Sequence, residues 1–213
     1  DFLVVNGHVY PQADAHPEWG MSYAQRPLLF RNLQNGKFAL VPAVEGSGLA
    51  TLCVGRGAAF GDLFNDGKID VVINNLDGPP VLLRNVNPDH NHWVELRLVG
   101  GGKTATSMGS PRDAVGATVY LTANGTRQRG DVLSGGSYLS SSDQRVHFGL
   151  GAATKLDAVE IDWPDGKIES VRLSAVDRIY TITEGKGITG TLCGTQPCRE
   201  TRGMRKSRRR AAP

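Results

Sequence analysis

The sequence predicts an all-β protein in two parts, followed by a basic tail. Short runs rich in β-branched and aromatic residues alternate with turn residues, and the 213 residues include 27 glycines and 11 prolines, a pattern typical of many short strands. Helical periodicity is nearly absent. We expect a first β unit over residues 1–88, a second over 89–184, and a disordered tail over 185–213.

The first unit carries a short repeat. Strands are predicted at residues 2–5, 27–32 and 37–41, with an Asn35-Gly36 hairpin turn between the last two. The motif LLFRN at 28–32 is matched by VLLRN at 81–85, 53 residues later. Propeller blades give repeats of similar length. Two copies are consistent with blades and also with chance.

An acid-rich turn separates the strands predicted at 58–60 and 69–73. Asp62, Asp66 and Asp70 stand at positions 1, 5 and 9 of a nine-residue loop, and Gly67 follows the middle acid. This spacing resembles a calcium loop, in which alternate side chains converge on one ion and a glycine permits the sharp turn. A metal-free hairpin in which Asn-Asp-Gly makes the turn is the alternative.

The second unit has the spacing of a sandwich or barrel. Its turns include Asn124-Gly125 and Asp165-Gly166. Its predicted strands cover residues 92–99, 115–121, 127–133, 137–139, 145–148, 158–163, 167–171 and 178–183.

Charge and cysteines narrow the class of protein. Seven of the 24 basic residues and one of the 21 acids lie in 199–213, so 17 basic and 20 acidic residues remain before it. A folded nucleic-acid-binding domain is therefore not indicated, and no apolar run is long enough to span a bilayer.

The three cysteines have different interpretations. Cys53 is interpreted as a buried free thiol. Cys193 and Cys198 could close a small disulfide loop, and the basic tail could bind anions nonspecifically or have no function.

Two resemblances emerge from these motifs. The segment RGAAFGDLFNDGKIDVVINN resembles the FG-GAP or VCBS repeat of integrin-α-like β-propellers. The motifs NHWVELRL, RDAVGATVYL, GGSYLSSSDQRVHFGLG and VEIDWPDG are similar to the ASPIC/UnbV domain. They imply terminal propeller blades followed by a β-sandwich-like domain, in a secreted, extracellular or periplasmic protein whose leader is not in this segment.

The FG-GAP resemblance implies a metal set. Asp62, Asp66 and Asp70 match its acidic positions, and Lys68 stands where a main-chain carbonyl would bind calcium. Phe64 occupies the third position, normally Asp or Asn. Because calcium prefers six to eight oxygen ligands, we expect this departure to weaken binding.

Several other polar residues have two interpretations. His90 and His92 lie on one face of a strand, as a metal pair or, as we prefer, a polar linker. Ser140 to Ser142 with Asp143 and His147 suggest a hydrolase, but without a nucleophile elbow we expect the hydroxyls to bond the backbone. For Arg112 and Asp113 we expect an ion pair or turn rather than ligand contact. Trp163 is expected to cap the core, and His147 to lie at the surface or rim.

The sequence therefore predicts a non-enzymatic extracellular binding or adhesion module, with a protein or carbohydrate as its ligand and calcium at the acidic loop. One alternative is a structural module that caps the propeller edge. Another is a component of a carbohydrate-active enzyme, for which Asp143 and Asp162 are the carboxylates to test.

Overall fold

The computed structural model describes residues 1–102, 109–194 and 196–197, the last two in backbone only. The first part contains two antiparallel three-stranded sheets. One has the order β1 (Phe2–Val4), β2 (Leu28–Asn32), β3 (Phe38–Leu40), and the other the order β4 (Gly55–Gly61), β5 (Asp70–Asn75), β6 (Val81–Leu83). Short 3-10 helices occupy Pro11–Ala15, Pro17–Trp19 and Gly48–Ala50. None of the described helices has the length and apolarity that crossing a membrane requires.

Both copies of the sequence repeat contribute a strand to a three-stranded sheet. Phe30 pairs with Phe2 in the first sheet, and the equivalent Leu83 pairs with Val71 in the second. Each copy of the motif therefore pairs antiparallel with the strand before it, but β2 is the central strand of its sheet and β6 is an edge strand. The described residues of the first part form two small sheets and do not form a closed ring of blades.

The second part consists of two larger sheets. A five-stranded sheet has the order β10 (Val146–Gly151), β7 (His92–Val99), β13 (Arg178–Thr183), β14 (Gly187–Cys193), β15 (Gln196–Pro197). A four-stranded sheet has the order β12 (Ile168–Val171), β11 (Ala158–Asp162), β8 (Thr118–Ala123), β9 (Thr126–Asp131). Neighbouring strands are antiparallel except β7 and β13, which are parallel.

The hydrophobic core belongs to the second part. Alternate residues of the strands point inward from both sheets, and the buried cluster runs from Val94 to Ile182 and includes Leu121, Phe148 and Ile161. Trp163 is 3% exposed and belongs to it, so the prediction that it caps the core is confirmed. The all-β, sandwich-like character of this part is thus set by two apolar faces packed together.

Two predictions are wrong: the start of the disordered tail and one short strand. Residues 187–193 form β14, although the tail was expected to begin at 185. This Gly- and Thr-rich segment has little strand pattern of its own, and it is ordered by pairing along β13. The strand expected at 137–139 is a single bridge between Ser137 and Ser140.

The cysteines and the basic tail are described only in part. Cys53 is a buried free thiol and Cys193 is disulfide-bonded. Cys198 and the basic residues that follow it lie outside the described residues.

Candidate functional site

The acidic loop between β4 and β5 folds around two buried carboxylates. Asp62 is fully buried, and its two oxygens accept the N–H groups of Asp66 (3.0 Å) and Gly67 (2.7 Å). Asp70 is 1% exposed, and its oxygens accept the N–H groups of Leu63 (3.2 Å) and Asn85 (2.8 Å). Both acids therefore organise the turn through the backbone, as buried acceptors must be satisfied.

The other members of the predicted metal set face outward. The Asp66 side chain is 37% exposed and lies 3.8 Å from the Arg84 guanidinium. Lys68 donates its Nζ to the carbonyl of Asn87 at 2.6 Å. Phe64, which replaces an acidic ligand in the loop pattern, lies under the same Arg84, 4.0 Å from the guanidinium carbon to the ring centre. Arg84 thus covers both side chains.

The loop offers oxygen ligands, which suit calcium. Its four predicted positions, Asp62, Asp66, Lys68 and Asp70, lie on one turn as expected. Among the described residues, however, no group of three or more His, Cys, Asp or Glu side chains converges in a way that could hold a metal ion. Calcium binding at this loop stays a prediction.

The second part holds the loop through Arg145, whose role the sequence analysis missed. The guanidinium donates to the main-chain carbonyl of Asp62 at 2.7 Å and to Oδ1 of Asn65 at 2.6 Å. On its own side it pairs with Glu95 at 2.8 Å and with Asp143 at 2.6 Å. The Arg145 side chain therefore contacts both parts, and we refer to these contacts as the Arg145 clasp.

Glu95 is the buried carboxyl group of the Arg145 clasp. Its residue is 1% exposed, although its place on β7, between inward-facing Val94 and Leu96, points it to the outer face of the sheet. Burial raises the pKa of Glu95 to about 7, against the opposing effect of Arg145. The acidic loop and Arg145 cover this face of the sheet, so an outward-facing residue becomes buried.

Gly67, Trp93 and His147 complete the contact. Gly67 has φ of +82°, and a Cβ there would lie 2.0 Å from the indole Nε1 of Trp93, so only glycine fits both the backbone and the packing. The Nε2 of His147 lies 2.9 Å from the carbonyl of Gly67, and its ring is parallel to that of Trp93. Burial lowers the pKa of His147. The expected surface or rim histidine thus lies at the contact between the parts.

The residues that suggested a hydrolase make hydrogen bonds to the backbone or an ion pair. Ser140 and Ser141 donate to the carbonyls of Tyr138 and Ser134, and Ser142 accepts the N–H of Phe60 at 3.2 Å, as expected for hydroxyls that bond the backbone. Asp143 is paired with Arg145. Asp162 lies on β11 in the other sheet and does not line the cleft beside Asp143.

The remaining candidates are separated. His92 pairs with Asp177 at 2.7 Å, whereas His90 lies in the exposed linker before β7. Arg112 and Asp113 form the centre of a turn closed by the bond from the Ala114 N–H to the Pro111 carbonyl. Within the described residues neither side chain has an ion-pair partner, so the turn is confirmed and the alternative ion pair is not formed.

Known proteins resemble part of this chain. A sequence profile of the family described as ASPIC and UnbV matches residues 107–189. Cartilage acidic protein 1 of Homo sapiens is 30% identical over 120 residues, which cover 54% of this chain and 17% of that protein. The protein of the same name from Mus musculus is 30% identical over 134 residues, covering 61% of this chain and 19% of that protein. The Xenopus tropicalis protein is 29% identical over 118 residues, covering 54% and 17%.

The chain therefore spans less than a fifth of the length of these relatives. The family match begins after β7, which nevertheless lies inside the five-stranded sheet between β10 and β13. Residues 107–189 thus match the family described as ASPIC and UnbV, and the chain is similar in sequence to cartilage acidic protein 1.

Proposed function

We propose that this chain is part of a non-enzymatic extracellular protein. In this protein the second part of the chain, called the β domain below, recognises a ligand while the acidic loop is held against it. The observation that carries the proposal is the Arg145 clasp. It engages the carboxylates of Glu95 and Asp143 in ion pairs, whereas an acid–base or nucleophilic site needs such groups free and within reach of each other. The similarity to cartilage acidic protein 1 supports the extracellular location.

Two measurements test this proposal together. The purified chain should support attachment of cultured cells to a coated surface above the level of an albumin coating. It should also release no reducing ends from polysaccharide substrates, whether wild type or Asp143→Asn. Attachment no better than to albumin would contradict the adhesion role. Release of reducing ends that Asp143→Asn abolishes would establish the enzyme alternative.

The finer part of the proposal is a weak calcium site at Asp62, Asp66, Asp70 and the carbonyl of Lys68. Its support is the oxygen donor set and the burial of two carboxylates on one turn. Calcium would share Asp62 and Asp70 with backbone N–H groups, and Phe64 removes one ligand, so its affinity should be low.

Calorimetric titration of calcium into the chain tests this site, beside Asp66→Ala and the control Glu45→Ala, an exposed acid of the first part. We expect saturable binding and a higher melting temperature for the wild type and Glu45→Ala, because a ligand that binds the folded state stabilises it. Asp66→Ala should lose both effects. An absence of heat from all three proteins would mean that the loop is a metal-free turn.

A second function, as a structural coupler, is favoured by the packing of Trp93 against Gly67. Here the β domain rigidifies the neighbouring sheet, as in the expected capping role. Hydrogen exchange over residues 55–75 measures it. Arg145→Met should accelerate exchange there, while Arg172→Met, at an exposed arginine with no partner in the described part of the chain, should not. Unchanged exchange in Arg145→Met would contradict the coupling role.

A further inference from the structure

A polar cleft opens beside the Arg145 clasp. Its volume is about 420 Å³, and its wall includes Arg97 on β7, Arg112 and Asp113 from the turn before β8, and Asp143, Gln144 and Arg145 before β10. The bond from the Gly100 N–H to the Arg112 carbonyl, 3.0 Å, brings this turn beside the end of β7. Three separate segments of the β domain therefore converge on one opening.

The side chains on one side of the cleft already have partners within the protein. The guanidinium of Arg145 makes contacts with Asp62, Asn65, Glu95 and Asp143. The main-chain N–H of Asp143 is also bonded to the carbonyl of Phe60 at 2.8 Å. These two side chains therefore form a rigid wall and have little capacity left for a ligand, which keeps the shape of the cleft constant.

The other side carries uncommitted charge. Arg97 projects from the outer face of β7, in line with Glu95, and is exposed, as is Arg112. Neither guanidinium has a hydrogen-bond or ion-pair partner among the described residues. Guanidinium groups bind carboxylates through two parallel hydrogen bonds. Two such groups at one cleft form a site for a carboxylate.

The rest of the lining distinguishes between possible carboxylate ligands. Asp113 and Gln144 are exposed at the same cleft and accept hydrogen bonds, so a ligand with hydroxyl donors beside its carboxylate would be complementary. A volume of about 420 Å³ falls within the range of about 300–1,000 Å³ for small-molecule sites. This range favours a whole ring over a single side chain of a protein partner.

We propose that the cleft between Arg97, Arg112 and Asp113 binds a sugar acid, with the two arginines holding its carboxylate and Asp113 and Gln144 accepting from its hydroxyls. The inference deepens the proposed binding function and rests on it. Because Arg145 forms the shared wall, a ligand in the cleft would contact the same side chain that holds the acidic loop.

Titration of glucuronate into the isotopically labelled full chain, followed by NMR, tests the proposal. We expect saturable shifts at residues 97–99, 112–113 and 143–145, and about tenfold weaker binding for Arg97→Gln or Arg112→Gln. The matched control is Arg172→Gln, which removes an exposed arginine elsewhere in the domain and should bind as the wild type does. Glucose, with the ring but no carboxylate, and acetate, with the carboxylate but no ring, should both bind at least tenfold more weakly.

Four outcomes would overturn the inference: no saturable shifts with glucuronate, equal weakening by Arg172→Gln, acetate binding as well as glucuronate, or tighter binding of an N-acetylated glutamate amide. The last result would assign the cleft to an acidic protein segment. If the chain supports cell attachment but does not bind glucuronate, the proposed function stands and the sugar-acid site is rejected. The failure of the sugar-acid site is therefore distinguishable from the failure of the proposed function.

Discussion

The two parts of the chain are built from the same kind of short antiparallel strands but bury their apolar residues to different extents. In the second part, two sheets face each other and the buried cluster runs from Val94 to Ile182. In the first part, the buried hydrophobic residues are Ala13, Cys53, Ala58 and Ile73. Of the 22 large hydrophobic side chains that are exposed in the described residues, 16 lie between Phe2 and Val86.

The difference shows that strand pairing alone does not make a core. A three-stranded sheet satisfies its backbone hydrogen bonds, but its apolar face is buried only when another layer covers it. In the second part each sheet covers the other. In the first part, the acidic loop is the segment that gains cover, and it gains it from the second part through Arg145, Trp93 and His147. We therefore expect the first part to depend on the second for stability.

Arg145→Met should break this dependence and give the largest effect. The substitution removes the ion pair with Glu95 and the hydrogen bonds to Asp62 and Asn65. Because the pKa of Glu95 is already raised to about 7, this carboxyl group can bind a proton when its cation is lost, so we expect a cost at the lower end of the range of about 3–5 kcal/mol for breaking a buried pair. Denaturant unfolding followed by tryptophan fluorescence and by circular dichroism measures it. We expect two separated transitions, with the first part unfolding first. The double variant Arg145→Met/Glu95→Gln should recover part of the loss, because it replaces the unpaired carboxyl group with a neutral amide.

A pair of leucine substitutions sharpens the contrast between the two parts. Leu121 is fully buried on β8, whereas Leu82 on β6 is 50% exposed. Leu121→Ala should reduce the free energy of unfolding by about 2–5 kcal/mol, and Leu82→Ala by no more than about 0.5 kcal/mol. Chemical denaturation gives both values. Equal losses would show that β6 is as well packed as the core of the second part.

We expect the second part to lose folding stability at low pH because of Glu184. Burial alone would raise its pKa, but N–H donors from Gly101 (2.7 Å) and Ser110 (3.1 Å) and the Lys167 ammonium (2.9 Å) lower it from 4.5 to about 2. The folded state then binds fewer protons than the unfolded state between these values. The stabilisation is therefore complete above pH 4.5 and is lost as the pH falls towards 2.

Glu184→Gln should remove this acid-dependent term and reduce stability at neutral pH by about 1.5–3 kcal/mol, the range for hydrogen bonds to charged groups. Melting temperatures of the wild type and the variant, measured from pH 2 to pH 7, should converge at the acidic end. Parallel curves would contradict the role of Glu184. The exposed pair of Arg127 and Glu160 offers a control, since Glu160→Gln should change stability by less than about 1 kcal/mol.

Local patterns in the sequence predicted most strands because alternation and turn residues act over a few positions. The predicted ranges 92–99 and 178–183 agree with β7 and β13 residue for residue. The acidic loop was also found, because three acids and a glycine at this spacing indicate a tight turn. The segment that became β14 could not be found in this way, since its order comes from pairing with β13 rather than from its own residues.

The sequence by itself determined the all-β class and the positions of Asp62, Asp66, Lys68 and Asp70 around one turn. The tertiary structure decided what those acids contact. Arg145 lies 83 residues after Asp62, and its contact with that residue's carbonyl depends on how the two parts pack. The burial of Glu95, on the outward side of β7, depends on the same packing. Long-range contacts leave no local periodicity in a sequence, so the Arg145 clasp and the cleft beside it became visible only in the folded chain.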